Sequence, residues 1–176
     1  MSRLLTDTEI ATLLAEPKPL PANWSSRLGV REKAGQMHRQ RELEVIGGGG
    51  HTFRVVLRQN VLNQLDFSLI LIFVDSDGTD YRLVRFNGRH PSQHTNKWEK
   101  RKGLSNWAFR NRFHIHQATE RYQVDGLEID GYAEVTPRYD SFDSALTEFV
   151  NDNGIQAPGG EPDLPLFAGG STGAKP

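Results

Sequence analysis

The chain has no cysteine in 176 residues. That excludes a disulfide framework, a cysteine-based zinc ribbon and a thiol nucleophile, so any metal site would have to be built from His, Asp and Glu. Long apolar runs are missing too: the longest, around Leu69 to Val74, is far too short to span a bilayer. The N-terminus, Met1-Ser-Arg-Leu-Leu-Thr6, has no apolar stretch followed by a cleavage site, and cytoplasmic residence with no membrane partner is the expectation. There is no internal repeat. The glycines Gly47 to Gly50 lack the Lys-Ser/Thr of a phosphate-binding loop and read as a flexible linker, and nothing in the sequence implies a cofactor.

What is there is charge, unevenly placed. The net charge is −1, but the average hides a separation along the chain. From Tyr81 to Tyr122 ten basic residues (Arg82, Arg85, Arg89, Lys97, Lys100, Arg101, Lys102, Arg110, Arg112, Arg121) face only two acids, Glu99 and Glu120. Four of the six histidines lie in the same stretch. From Gln123 onward ten acids face only Arg138 and Lys175. A surface suited to a polyanion is followed by an acidic segment, which could itself occupy and mask that surface.

The length suits one domain with a core and a short appendage. Thr6-Asp-Thr-Glu9 reads as a capping box opening a helix through Ile10, Leu13 and Leu14 that Pro17 stops. Lys18 to Asn23 reads as loop, and Ser25 to Glu44 is polar and ambiguous, with helix the reading around Arg31 to Arg41. Period-two alternation at Phe53, Val55 and Leu57 starts a sheet. Leu65 to Asp75 reads as its central strand and Asp75-Ser-Asp-Gly78 as a hairpin turn. In the next strand Tyr81 and Leu83 face opposite to Arg82, Val84 and Phe86. Residues 87–107 form a long basic loop, Arg112 to Gln117 a strand with His114 and His116 on one face, and Ile129 to Val135 the last strand. Ser141 caps a final amphipathic helix through Val150, closed by Asn153-Gly154. The expected fold is a single α+β domain over 1–155, mainly an antiparallel sheet of about five strands with an N-terminal and a C-terminal helix packed on it. Residues 156–176, rich in Pro, Gly and acid, read as a disordered tail.

The chemistry sits at His90, His94, His114 and His116. Three readings apply. In metal-free RNA cleavage, one imidazole or Glu120 takes the ribose 2′-hydroxyl proton, another group protonates the leaving oxygen, and Arg85 and Arg121 stabilise the phosphorane. Trp98, Trp107 and Tyr122 would then add stacking surfaces for unpaired bases. In the second reading His-x-His is half of a metal shell completed by His90 or His94 with Glu120, although no specific metal-site spacing is present. In the third the histidines are hydrogen-bonding members of a basic recognition face without catalysis. The first is the working expectation, without a metal.

The order Tyr81-Arg-Leu-Val-Arg-Phe-Asn-Gly88, His90, His94-Thr-Asn96, Phe113-His-Ile-His116, Tyr132-Ala133 and Ser141-Phe-Asp-Ser-Ala-Leu-Thr-Glu-Phe149 resembles the TumE-type toxins of bacterial toxin–antitoxin operons. It is also similar to a related uncharacterised group with a His-Leu-His-Ile-Tyr strand, whose opening helix resembles Leu4-Leu-Thr-Asp-Thr-Glu-Ile10. The resemblance covers Leu4 to Ile155, with a longer spacing here between the basic loop and the His-x-His strand. It implies a small RNA-directed toxin, a ribonuclease with a compact sheet, held inactive by a cognate antitoxin protein.

Overall fold

The computed structural model describes residues 3–31, 37–105 and 107–158. The expected tail therefore lies, from Gly159 onward, outside the described residues. Along the chain run α1 (Asp7–Ala15), β1 (Lys18–Pro19), α2 (Trp24–Arg27), β2 (Gly29–Arg31), β3 (His38–Ile46), β4 (Thr52–Asn60), β5 (Phe67–Val74) and β6 (Asp80–Asn87). There follow β7 (Gln93–Thr95), α3 (Lys97–Arg101), β8 (Ala108–Arg110), β9 (His114–Gln117), α4 (Glu120–Val124), β10 (Tyr132–Val135), α5 (Phe142–Asp152) and β11 (Ile155–Gln156). Seven strands form one antiparallel sheet in the order β10-β9-β6-β5-β4-β3-β2, with β5 at its centre. The expected α+β class, single domain and terminal helices are all present, on a larger sheet.

Helix α1 begins at the expected capping box, where Thr6 Oγ1 accepts from the Glu9 N–H and the Glu9 carboxylate accepts from the Thr6 N–H. Both terminal helices bury their apolar stripes on one sheet face, against Val55, Leu57, Leu69, Leu71 and Phe86. Phe86 meets Phe149 edge-on at 5.5 Å, and Phe67 meets Phe142 at 5.4 Å. The chain ends of the domain are tied by the parallel pair β1–β11, although Lys18 and Pro19 read as loop. The Lys18 ammonium, fully buried, donates to the carbonyls of Leu13, Leu14, Glu16 and Asn153 at 2.7–3.1 Å. One cation thus satisfies carbonyl groups that end α1 and α5, where no intrahelical donor remains.

Three expectations are corrected. Of the helix expected around Arg31 to Arg41, Arg31 ends β2, residues 38–41 open strand β3, and 32–36 lie outside the described residues; in β3 only Leu43 and Val45 alternate inward with Glu44 and Ile46 outward, and the polar first half conceals the period. Gly47 to Gly50, read as a flexible linker, form the turn of the β3–β4 hairpin. Their compactness is required, because a Cβ on Gly47 would stand 2.0 Å from the Glu16 carboxylate, which accepts from the Gly49 N–H and from His51. The third concerns β6. The β5–β6 register shifts by one residue between Leu71 and Ile72, a bulge that leaves both Leu83 and Val84 buried. Past it Val84 and Phe86 join the helix face, so Arg82 and Arg85, three positions apart, point to the same open face.

Candidate nucleic-acid interface

Register places the site. Across β6, β9 and β10 the rows are Arg85–His116–Ala133 and Asn87–His114–Val135, so these side chains share the face away from the helices. The 87–107 stretch is not a structureless loop: β7 pairs with β8, α3 intervenes, and this excursion folds back over the open face. His94 lies 4.6 Å from His116 and 5.8 Å from His114 between ring centroids, while His90 lies 5.2 Å and Phe109 4.9 Å from His114. All four histidines that sequence reasoning singled out come together.

Their hydrogen bonds decide what each can do. His114, 2% exposed, donates from Nδ1 to the Arg112 carbonyl at 2.7 Å. Its Nε2 accepts from the Asn87 carboxamide at 3.2 Å, and Asn87 in turn accepts from Ser68. Both ring nitrogens are engaged, and burial pushes the His114 pKa down to about 4. Burial, with Arg85 beside it, pushes His116 to about 2. His116 Nδ1 lies 2.9 Å from the Asp130 carbonyl and 3.1 Å from Arg85 Nη2. A carbonyl only accepts and a guanidinium only donates, so one tautomer cannot serve both. The shorter contact takes the proton, and Arg85 stands beside the ring as a charge. His94 donates from Nε2 to Asn96 Oδ1 at 2.8 Å. That carboxamide is oriented by Ala133, whose N–H it accepts and whose carbonyl it donates to. Desolvation outweighs this bond and lowers the His94 pKa.

The remaining expected residues divide. Arg82 pairs with Glu128 at 2.7 Å and Arg85 with Asp130 at 3.1 Å, Asp130 being buried. Arg121 pairs with Glu99 at 2.6 Å and lies over the rings of Trp98 and Tyr132. Tyr122 is no stacking platform: it is buried, with its hydroxyl donating to Glu99 at 2.5 Å. Glu120 is drawn away from the histidines to the start of α1, where it accepts from the Asp7 N–H while Asp7 accepts from its own. By contrast Arg89, Lys97, Lys100, Arg101, Lys102, Arg110 and Arg112 are exposed and, among the described residues, have no carboxylate partner. Lys100 covers Trp107 at 4.8 Å and Lys102 covers Trp98 at 5.5 Å.

Asn87, Asn96 and Asp130, which orient the rings and hold the arginines, were not singled out from sequence. The signal available was only their position flanking the basic and histidine segments. Among the described residues no three His, Asp or Glu side chains are placed to hold a metal ion, and no helix is long and apolar enough to cross a membrane.

Fold and site together define a single α+β domain with one sheet face buried by two terminal helices and the other carrying a histidine cluster beneath a basic excursion. No protein-family model, no curated protein and no solved structure matches this chain.

Proposed function

We propose that this protein binds RNA through the β7–α3–β8 excursion, with the histidine cluster as the framework that holds the excursion in place. The observation that carries the reading is the set of seven exposed Lys and Arg side chains from Arg89 to Arg112 that have no carboxylate partner among the described residues. Unneutralised cations on one surface attract a phosphate backbone by counterion release, and cation-covered indoles such as Trp98 and Trp107 are surfaces onto which bases stack. Acid–base catalysis through His114 is disfavoured, because both nitrogens are engaged and its pKa is far from neutrality.

A second reading, cleavage of the bound RNA in the manner the toxin resemblance implies, is favoured by one observation: His94, His116 and Arg85 line the same cleft. In that role the protein would be the toxin of a toxin–antitoxin pair, and an acidic antitoxin segment would cover the basic excursion. The test is titration of a labelled single-stranded RNA with the wild type and with K100A/R101A/K102A, followed by gel analysis of the RNA. Loss of affinity by tenfold or more in the triple variant, with RNA intact, supports the binding reading. Equal affinity of the two proteins overturns it, and new RNA ends abolished by His116→Ala transfer the weight to cleavage.

A further inference from the structure

Beside the excursion lies a cleft of about 380 Å³, between the open face of β6 and β9, strand β7 and the segment joining α4 to β10. That volume falls in the range of small-molecule sites, roughly 300–1,000 Å³. One wall is the His94 ring, held at a fixed angle by Asn96 and set 83° to His116. The rim carries Lys97, which has no carboxylate partner among the described residues, and Arg82, whose side chain is 40% exposed beside Glu128. At the floor, among the described residues, buried Arg85 Nε has no hydrogen-bond partner and Asp130 Oδ2 has only the ion pair to Arg85 Nη2 at 3.1 Å. The floor is thus polar, a carboxylate paired with a guanidinium beside the His94 wall, while the rim is cationic.

A bare phosphate is poorly matched to this cleft, since Glu128 and Asp130 share it with the cations. A group with a planar polar body and a phosphate at one end fits both parts. We propose that the cleft binds one ribonucleotide of a single-stranded RNA, its base against the His94 ring and its phosphate at Lys97 and Arg82. The inference rests on the RNA-binding reading and deepens it: the excursion carries the backbone, and a single unstacked nucleotide lodges in the cleft. Duplex RNA, whose bases are paired and stacked, cannot supply that nucleotide.

The experiment uses the full chain. The four ribonucleoside 5′-monophosphates and inorganic phosphate are titrated while histidine ring resonances are followed, and a single-stranded RNA carrying one 2-aminopurine reports base insertion by its fluorescence. Two variants at solvent-facing positions test the cleft: Arg82→Ala removes a rim cation, and Gln93→Trp fills the space. Expected are wild-type shifts with at least one nucleotide, tenfold weaker binding of inorganic phosphate, a 2-aminopurine change with single-stranded but not duplex RNA, and loss of these signals in both variants. RNA binding without any nucleotide or 2-aminopurine response overturns the cleft assignment and leaves the RNA reading intact. A nucleotide response without affinity for RNA does the reverse. Signals unchanged in both variants place the nucleotide elsewhere and overturn the proposal.

Discussion

His114 and His116 show how burial and hydrogen bonding convert a reactive residue type into a structural one. Burial pushes their pKa values to about 4 and about 2, against an ordinary 6.5, so the unfolded chain binds more protons than the folded one below neutrality. Their contribution to stability is fully present above pH 6.5 and falls as pH drops toward the folded values, by up to about 1.4 kcal/mol per pH unit for each group. Urea midpoints should therefore decrease between pH 7 and 5, above the usual carboxylate range, and His114→Gln should flatten part of that slope. Midpoints that coincide from pH 7 to 5 would sink the idea. Glu16 acts in a lower window. Burial opposes its ionisation, but the bonds from His51 and Gly49 outweigh that and hold its carboxyl below the usual range, so its contribution is present above about pH 4.5 and lost only as pH falls through the folded value. Lys18 is a further buried ionisable group, with its pKa pushed by burial down to about 8. Lys18→Met keeps the apolar stem and removes the ammonium that reaches four carbonyls at the ends of α1 and α5. The expected loss is about 3 kcal/mol in chemical denaturation; a change below about 0.5 kcal/mol would show that other donors replace it.

Among the elements, β10 is an edge strand, and edges invite pairing with another chain. Asn96 closes the middle of it by bonding both the N–H and the carbonyl of Ala133, as a neighbouring strand would. Asn96→Ala should therefore do two things at once: lower stability by about 1–2 kcal/mol, and make the protein self-associate with rising concentration in analytical ultracentrifugation. A variant that stays monomeric at every concentration would mean that the excursion alone protects the edge. Much of this architecture was legible in the sequence because the signals are local. The capping box at Thr6, the cap at Ser141, the Asp75 to Gly78 turn and the alternation around Phe53 each depend on neighbouring residues. What escaped was decided elsewhere in the chain. Strand β3 carries too little apolar alternation to be recognised without β4 beside it. The β6 bulge, which brings Arg82 and Arg85 to one face, is a property of pairing with β5. The four histidines could be named from spacing, but the loss of basicity of His94, His114 and His116 could not, since it comes first from burial under a segment that looked like loop.

At the scale of the whole molecule the balance of charge is resolved in space. Among the described residues, carboxylates of the acidic half form ion pairs with the basic stretch only at Arg82 and Arg85, through Glu128 and Asp130. Further along it is occupied with itself, Arg138 bridging Glu148 and Asp152 on α5. Among the described residues the seven cations of the excursion thus have no carboxylate partner, in a protein whose net charge is −1, and screening by salt acts over about 8 Å at physiological ionic strength, which limits what acids farther away than that can cancel. Affinity for single-stranded RNA should fall steeply with salt. With about 0.7 counterions released per neutralised phosphate, seven contacts give a log–log slope near −5 as an upper bound. The K100A/R101A/K102A variant should lose about 2 of that slope, while Arg138→Ala, on the helix face, should leave it unchanged. Fluorescence anisotropy at a series of salt concentrations measures all three proteins. A wild-type slope near zero would show that contact with the backbone is not electrostatic, and equal slopes for wild type and triple variant would place the phosphates away from α3.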